Sequence, residues 1–217
     1  MTTFKKQLTW PTVQRLTEYL IILEQFIRSG KATISSSELA TIYSNTASQV
    51  RQDIFRLPNT GRVGHGYNVH ELSLAIRGVL EMNQKTNLVM IGCGRIGVAL
   101  TGHIAFKDYG MELVGAFDND TKLIGTDLLD CDDKGVKVQD ITLIKDFIQS
   151  NNVQVACLCT PQEVAQDVVD SILETGVTGI LNYSKRRLKV PKHVYVQHKQ
   201  LVCSFMQVAY ASKQPRT

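Results

Sequence analysis

Gly92-Cys93-Gly94-Arg95-Ile96-Gly97 places glycines first, third and sixth, directly after the apolar run Leu88-Val89-Met90-Ile91 and before a helical pattern. In that setting the first glycine permits a tight turn and the second lets backbone approach a pyrophosphate. The third lets the helix pack closely on the strand. Open N–H groups at the helix start then meet the phosphate charge. The next strand ends in Ala116-Phe117-Asp118, with Asp118 21 residues after Gly97. A carboxylate there accepts hydrogen bonds from a ribose diol and repels a 2′-phosphate, which favours NAD(H) over NADP(H). A CoA-binding module shares this fold, but Asp118 suits a ribose diol without phosphate.

Catalytic groups are harder to find. A dehydrogenase needs a proton donor beside the nicotinamide and a cationic anchor for its substrate. His103 follows the glycine loop on the same helix, and a lone helical histidine reads as structural or surface. Cys157 and Cys159 alternate on one face of a buried strand and read as core. The chain left after the dinucleotide unit is too short for a usual substrate domain. We expect a binder of NADH/NAD, with no catalytic residue, rather than an enzyme. The five cysteines form no CxxC or Cys/His ligand spacing, which argues against a zinc site and a disulfide framework.

A second constellation lies upstream. Ala47, Val50, Ile54 and Leu57 fall on one helical face; Ser48, Gln49, Gln52 and Arg56 lie opposite, with Arg51 toward the edge. Arg and Gln pair bidentately with base edges and Ser contacts phosphate, so this face suits a major-groove reader. Pro58 and a loop with Gly61, Gly64 and Gly66 follow, and Arg62 and His65 could press that loop on a DNA backbone as a wing. A solvated face and a loose linker remain the plain alternative.

The elements that position these groups fall in two blocks, with the boundary in the polar stretch Gln84-Lys85-Thr86-Asn87. Residues 1–85 are helical: Val13, Leu16, Leu20, Leu23 and Ile27 recur at helical spacing to a stop at Ser29-Gly30. Ser35 with Glu38 opens a short helix to Tyr43, Thr46 with Gln49 opens another to Leu57, and a fourth runs from about Val69 to Met82. Residues 86–198 alternate strands and helices: Leu88–Ile91, a helix reaching about Phe106, Leu113–Phe117, Val136–Val138, a helix over Ile141–Ile148, Val153–Cys159 and Gly179–Asn182. Thr160-Pro161-Gln162-Glu163 has the capping pattern that would open the next helix. Such alternation means α/β with a doubly wound parallel sheet. Residues 199–217 read as a final helix, from Lys199 to Ala211, and tail.

The whole chain is ordinary globular material, 217 residues at 43% hydrophobic and 20% charged. No apolar run approaches a membrane span and MTTFKKQLTW has no signal-peptide core, so a soluble cytoplasmic protein is expected. Residues 1–85 carry ten Lys and Arg against six Asp and Glu, residues 86–184 six against fourteen, and residues 185–217 eight against none. An acidic middle between basic ends implies at least two functional surfaces.

Taken together these residues resemble Rex, the bacterial redox-sensing transcriptional repressors, over nearly the whole chain. Thr12-Val13-Gln14-Arg15-Leu16 is similar to the family's opening helix; Ile34-Ser35-Ser36-Ser37-Glu38-Leu39 and Gln49-Val50-Arg51 with Asp53 are similar to its winged-helix signature. Gly64 and Gly66-Tyr67-Asn68-Val69 match the end of the wing. The glycine loop, Ala116-Phe117-Asp118, Thr160-Pro161 and Gly179-Ile180-Leu181-Asn182 continue the match in order. The resemblance implies a winged helix-turn-helix domain, a Rossmann domain and a C-terminal helix exchanged within a homodimer. It implies a double-stranded DNA operator bound when NADH is scarce and released when NADH closes the dimer. Cofactor contacts then come from the loop 92–97 and from Asp118, Thr160, Pro161 and Asn182. DNA contacts come from Thr46, Ser48, Gln49, Arg51, Gln52 and Arg56, with Arg62 in the wing. There are departures. His103 stands where the family has tyrosine, Gln200 replaces the acid before the final helix, and Ile21 replaces its arginine partner. Gln52-Asp53-Ile54-Phe55-Arg56-Leu57-Pro58 replaces the usual Lys-Asp-Leu-Ser-Tyr-Phe-Gly, and Tyr183-Ser184-Lys185 replaces Phe-Ala-Pro. A paralogue that has lost NADH sensing is therefore a second expectation, and a small NAD-dependent oxidoreductase a third.

Overall fold

The computed structural model describes residues 8–58, 66–129 and 135–214. The chain divides into two compact units, Met1–Gln84 and Lys85–Thr217.

In the first unit α1 (Trp10–Arg28) starts with proline in its first turn, where the missing N–H is no loss. β1 (Thr33–Ile34) leads into α2 (Ser36–Tyr43), whose cap Ser35 Oγ accepts the Glu38 N–H at 3.0 Å. Thr46 Oγ1 accepts the Gln49 N–H at 3.2 Å and starts α3 (Ala47–Ile54). β2 (Tyr67–Asn68) pairs antiparallel with β1, and α4 (Val69–Val79) follows, capped by Asn68. Leu16, Tyr19, Leu20, Leu23, Leu39, Val50, Ile54, Leu57, Leu72 and Ile76 fill one core between these helices. This is a winged helix-turn-helix unit, in which the β1–β2 ladder ties the strand before α2 to the strand before α4. The wing residues Gly61, Arg62, Gly64 and His65 lie outside the described residues.

Two helices end sooner than their periodicity predicts. α3 stops at Ile54, not Leu57: Pro58 disfavours helical backbone before it, and the Arg56 and Leu57 N–H groups bond three residues back. α4 stops at Val79, where Glu81 turns left-handed (φ 59°) and the Met82 N–H closes on the Arg77 carbonyl.

The second unit is built on a seven-stranded sheet. Its strands are β3 (Thr86–Ile91), β4 (Met111–Asp118), β5 (Asp127–Leu129), β6 (Gly135–Asp140), β7 (Val155–Leu158), β8 (Gly179–Asn182) and β9 (Tyr195–His198). The spatial order is β5-β6-β4-β3-β7-β8-β9. All neighbours are parallel except the β5–β6 pair at one edge. Counted from β3 with β5 set aside, this is the 3-2-1-4-5-6 order of the Rossmann fold. The order reverses between β3 and β7, which opens a crevice at their carboxyl ends.

Residues alternate between two cores across the sheet. Val89, Ile91, Phe117, Ala156 and Leu158 meet α6 (Ile144–Ser150) and α7 (Ala165–Ile172) on one face. Met90, Ala116, Val138 and Cys157 pack with Cys93 and Leu128 on the other. α5 (Arg95–Thr101) ends well before Phe106, because Thr101 Oγ1 turns back onto the Gly97 and Val98 carbonyls and Gly102 follows. Residues 106–109 form a separate 3₁₀ turn, and the segment expected as one helix from Ile141 begins with another.

α8 (Leu201–Ala211) closes the described chain and buries none of its residues; Phe205 is 75% exposed and Tyr210 70%. No helix among the described residues is long and apolar enough to cross a membrane.

Candidate functional site

The glycine loop joins β3 to α5 at the switch point, and its three glycines face different surroundings. Gly92 sits at φ 92°, and a Cβ there would meet the Cys159 carbonyl at 2.8 Å and the Thr160 nitrogen at 3.0 Å. The end of β7 is thus pressed against the turn. A Cβ on Gly97 would meet the Gly92 oxygen at 2.3 Å, which is the close helix–strand packing the motif demands. A Cβ on Gly94 would meet nothing within 4 Å. The open surface of the loop therefore lies at Gly94, with Arg95 and Ile96 exposed beside it.

Asp118 reaches this loop from the end of β4. Its Oδ2 accepts the Cys93 N–H at 2.7 Å, and its Oδ1 accepts the Asn119 and Asp120 N–H groups at 2.8 and 2.9 Å. The carboxylate is fixed at the loop's edge, with acceptor capacity left on a half-buried side chain. The Cys93 N–H is spent on Asp118, and its Sγ lies 3.5 Å from the Phe117 carbonyl. Burial and then the Asp118 charge push the Cys93 thiol up to about 12. The hydrogen bond with Cys159, and then burial, push Cys157 up as well. Neither is a thiolate near neutral pH, so neither serves as a nucleophile.

Thr160 and Pro161 do not cap a helix. α7 starts five residues later at Ala165, with Val164 and no side-chain cap at its N-terminus. The Thr160 hydroxyl is left buried with no hydrogen-bond partner. One strand over, Ser184 is 4% exposed and its hydroxyl is also unpartnered. Asn182, fully buried at the end of β8, is committed within the chain. Its Oδ1 accepts the Ser184 N–H at 2.9 Å, and its Nδ2 donates to the Arg186 carbonyl and to His198 Nδ1 at 2.8 and 2.9 Å. With the amide oriented by two backbone partners, His198 Nδ1 is an acceptor and its proton sits on Nε2. Burial, then Arg187, lower the pKa of His198. Asn182 thus holds the turn and the imidazole.

On α3 the structure separates the expected face into two sets. Ser48, Arg51, Gln52 and Arg56 are exposed and, together with Phe55, line one shallow depression. Arg51 is steadied by its Nη1 donating to Ser36 Oγ at 3.1 Å. Thr46 serves as the cap, and Gln49 turns inward, its Nε2 donating to Asp53 Oδ1 at 3.1 Å.

Asp53 anchors a network that the sequence reading did not single out. The carboxylate is fully buried and takes the Arg15 Nε and Nη2 at 2.6 and 2.8 Å, with the Tyr19 hydroxyl donating at 3.2 Å. The hydrogen bond to Asp53 raises Arg15, while burial and the Asp53 charge raise Tyr19. This network locks α3 onto α1. An acid on the apolar face with Val50, Ile54 and Leu57 is the signal that would have found it.

A winged helix joined in one chain to a Rossmann unit with an open glycine loop is the build of a ligand-responsive DNA-binding regulator. A family model described as the N-terminus of putative DNA-binding proteins matches residues 7–54, and one described as a CoA binding domain matches residues 83–186. A redox-sensing transcriptional repressor Rex of Clostridium perfringens is 34% identical over 206 residues, 95% of each chain. The Rex of Clostridioides difficile strain 630 is 32% identical over 96% of this chain and 97% of its own. The structure of RSP, a Rex-family repressor, in complex with NAD+ and operator DNA matches with TM-score 0.84 and 32% identity, over 95% of this chain and 93% of that one. RSP in complex with NADH matches with TM-score 0.83 and 32% identity, over 94% of each chain. The chain belongs to the Rex family of redox-sensing transcriptional repressors.

Proposed function

We infer that this protein is a homodimeric repressor that binds an operator in double-stranded DNA and responds to the NADH/NAD ratio, a regulator that binds dinucleotide without turning it over. The observation that carries the reading is the pairing of an open surface at Gly94 with the orphaned Thr160 hydroxyl beside the same turn, next to the Asp118 carboxylate. These residues fit a dinucleotide: a gap where a phosphate can meet backbone, a carboxylate for a ribose diol, and a buried hydroxyl lacking a partner. The nicotinamide supplies the redox signal when bound, differing between its oxidised and reduced forms in charge and ring shape. Residues 94–97 would cradle the pyrophosphate, Asp118 would take the ribose, and Thr160 would regain a hydrogen bond. Asn182 and His198 would hold the β8–β9 end of the crevice in shape. Ser48, Arg51, Gln52 and Arg56, with Arg62 of the wing, would contact DNA. The unburied apolar α8 supports a dimer formed through the C-terminal helix.

A ligand that favours one dimer arrangement by about 5.5 kcal/mol over the other takes the equilibrium from 1:99 to 99:1. A second reading, a repressor that no longer senses NADH, draws on Gln200, whose Nε2 is donated to the Lys185 carbonyl at 3.3 Å where a carboxylate is usual. Titrating NADH, and separately NAD, into the protein–DNA complex at fixed salt separates the two. Release by NADH and not by NAD is expected. Specific binding indifferent to both establishes the second reading.

A further inference from the structure

Phe55 has no place in the reading above. It follows the last residue of α3, yet its N–H still bonds the Arg51 carbonyl at 2.9 Å and its backbone stays helical (φ −58°, ψ −21°). It therefore continues the exposed face: seven residues after Ser48, four after Arg51 and three after Gln52. The ring is 86% exposed, while Val50, Ile54 and Leu57 on the opposite side already fill the core. It lines the same depression as Ser48, Arg51, Gln52 and Arg56, so one large apolar ring sits within a rim of hydroxyl, amide and guanidinium groups. The fold gains nothing from it there, since an exposed ring forgoes the burial that makes an aromatic stabilising.

We propose that Phe55 is a specificity residue that packs against the 5-methyl group of a thymine in the operator's major groove. The proposal rests on the DNA-binding reading of α3. The flanking Arg51 and Arg56 point to a polyanion as the occupant. Among base edges in the major groove, only thymine offers an apolar group, which side chains such as phenylalanine can contact. Arg51 and Gln52 would read hydrogen-bonding edges beside it, so the ring sets a preference that the polar groups cannot supply.

The test removes the methyl and the ring separately. An operator is selected from a random duplex pool with the full-length protein at fixed salt, and each thymine is then replaced singly by deoxyuridine. Losing one buried methyl weakens wild-type binding about fourfold at one thymine in each half-site. Phe55→Ala binds the thymine operator about tenfold more weakly and is indifferent to deoxyuridine at that position. Phe55→Leu keeps part of the thymine preference, and Arg51→Ala weakens thymine and uracil operators alike. Because Phe55 is exposed, the thermal midpoint of Phe55→Ala stays at the wild-type value. Full-strength operator binding by Phe55→Ala, or equal deoxyuridine sensitivity in wild type and Phe55→Ala, overturns the proposal and leaves the DNA-binding reading standing. A pool from which the wild type enriches no sequence overturns both.

Discussion

Asp53 in the first unit and Thr160 in the second are both polar groups withdrawn from water, and the chain treats them oppositely. Asp53 is surrounded by donors from Arg15, Tyr19 and Gln49. The Thr160 hydroxyl has none, though it lies beside a glycine turn whose neighbour Gly94 faces open space. A satisfied buried network is architecture: it fixes one arrangement of α1 against α3. An unsatisfied buried group is a standing cost of about 1–3 kcal/mol that a ligand can relieve. Under the proposed function, the difference separates residues that build the regulator from residues that would meet its ligand.

If the contrast holds, substitutions in the first set lower stability and substitutions in the second lower affinity. The largest effect is expected for Asp53→Ala, which leaves the Arg15 guanidinium half-buried without its partner and costs about 3–5 kcal/mol of first-unit stability. The single tryptophan, Trp10, lies in that unit, so urea unfolding followed by its fluorescence reads the loss directly. Next come two glycine substitutions. Gly97→Ala forces a methyl against the Gly92 carbonyl and destabilises the second unit by about 1–3 kcal/mol, seen in unfolding by circular dichroism. Gly94→Ala leaves the unliganded stability unchanged yet weakens NADH about tenfold, because the methyl occupies the surface a pyrophosphate approaches. Equal stability losses in the two variants would erase the distinction drawn between their surroundings.

Thr160→Val gives a smaller signal with opposite signs. The unliganded protein gains up to about 1 kcal/mol as an unpartnered hydroxyl is removed, while NADH binding measured by its fluorescence falls about fivefold. The smallest effect is on pH. His198 titrates below its ordinary value when folded, so as pH falls through about 6.5 the unfolded chain binds more protons and stability is lost. The wild-type thermal midpoint therefore drops more between pH 7.5 and 5.5 than that of His198→Gln.

Features set by near neighbours in the chain were legible in the sequence. The Ser35–Glu38 and Thr46–Gln49 caps form as their spacing predicts, and the glycine loop lies between β3 and α5. Features set by distant partners were not. Arg15 lies 38 residues from Asp53, and no local pattern joins them. Thr160 to Glu163 has capping spacing, but the Thr160 hydroxyl is buried beside the glycine turn instead and α7 begins only at Ala165. The two-residue strands β1 and β2 and the edge strand β5 are too short to show a period of two. Phe55 was assigned to neither helical face from the sequence, and only the structure shows its ring turned out.

α8 spans 11 residues and carries Leu201, Val202, Phe205, Met206, Val208 and Tyr210, all exposed. Helices this short are marginal in water on their own, below about 12–15 residues. The helical order of this segment is therefore conditional on a second surface that covers it. Where that surface is another copy of the chain, mass action makes the ordered fraction rise with the protein's own concentration. The number of copies in a cell then becomes an input in its own right: dilution alone would empty an operator that no change in redox state had touched.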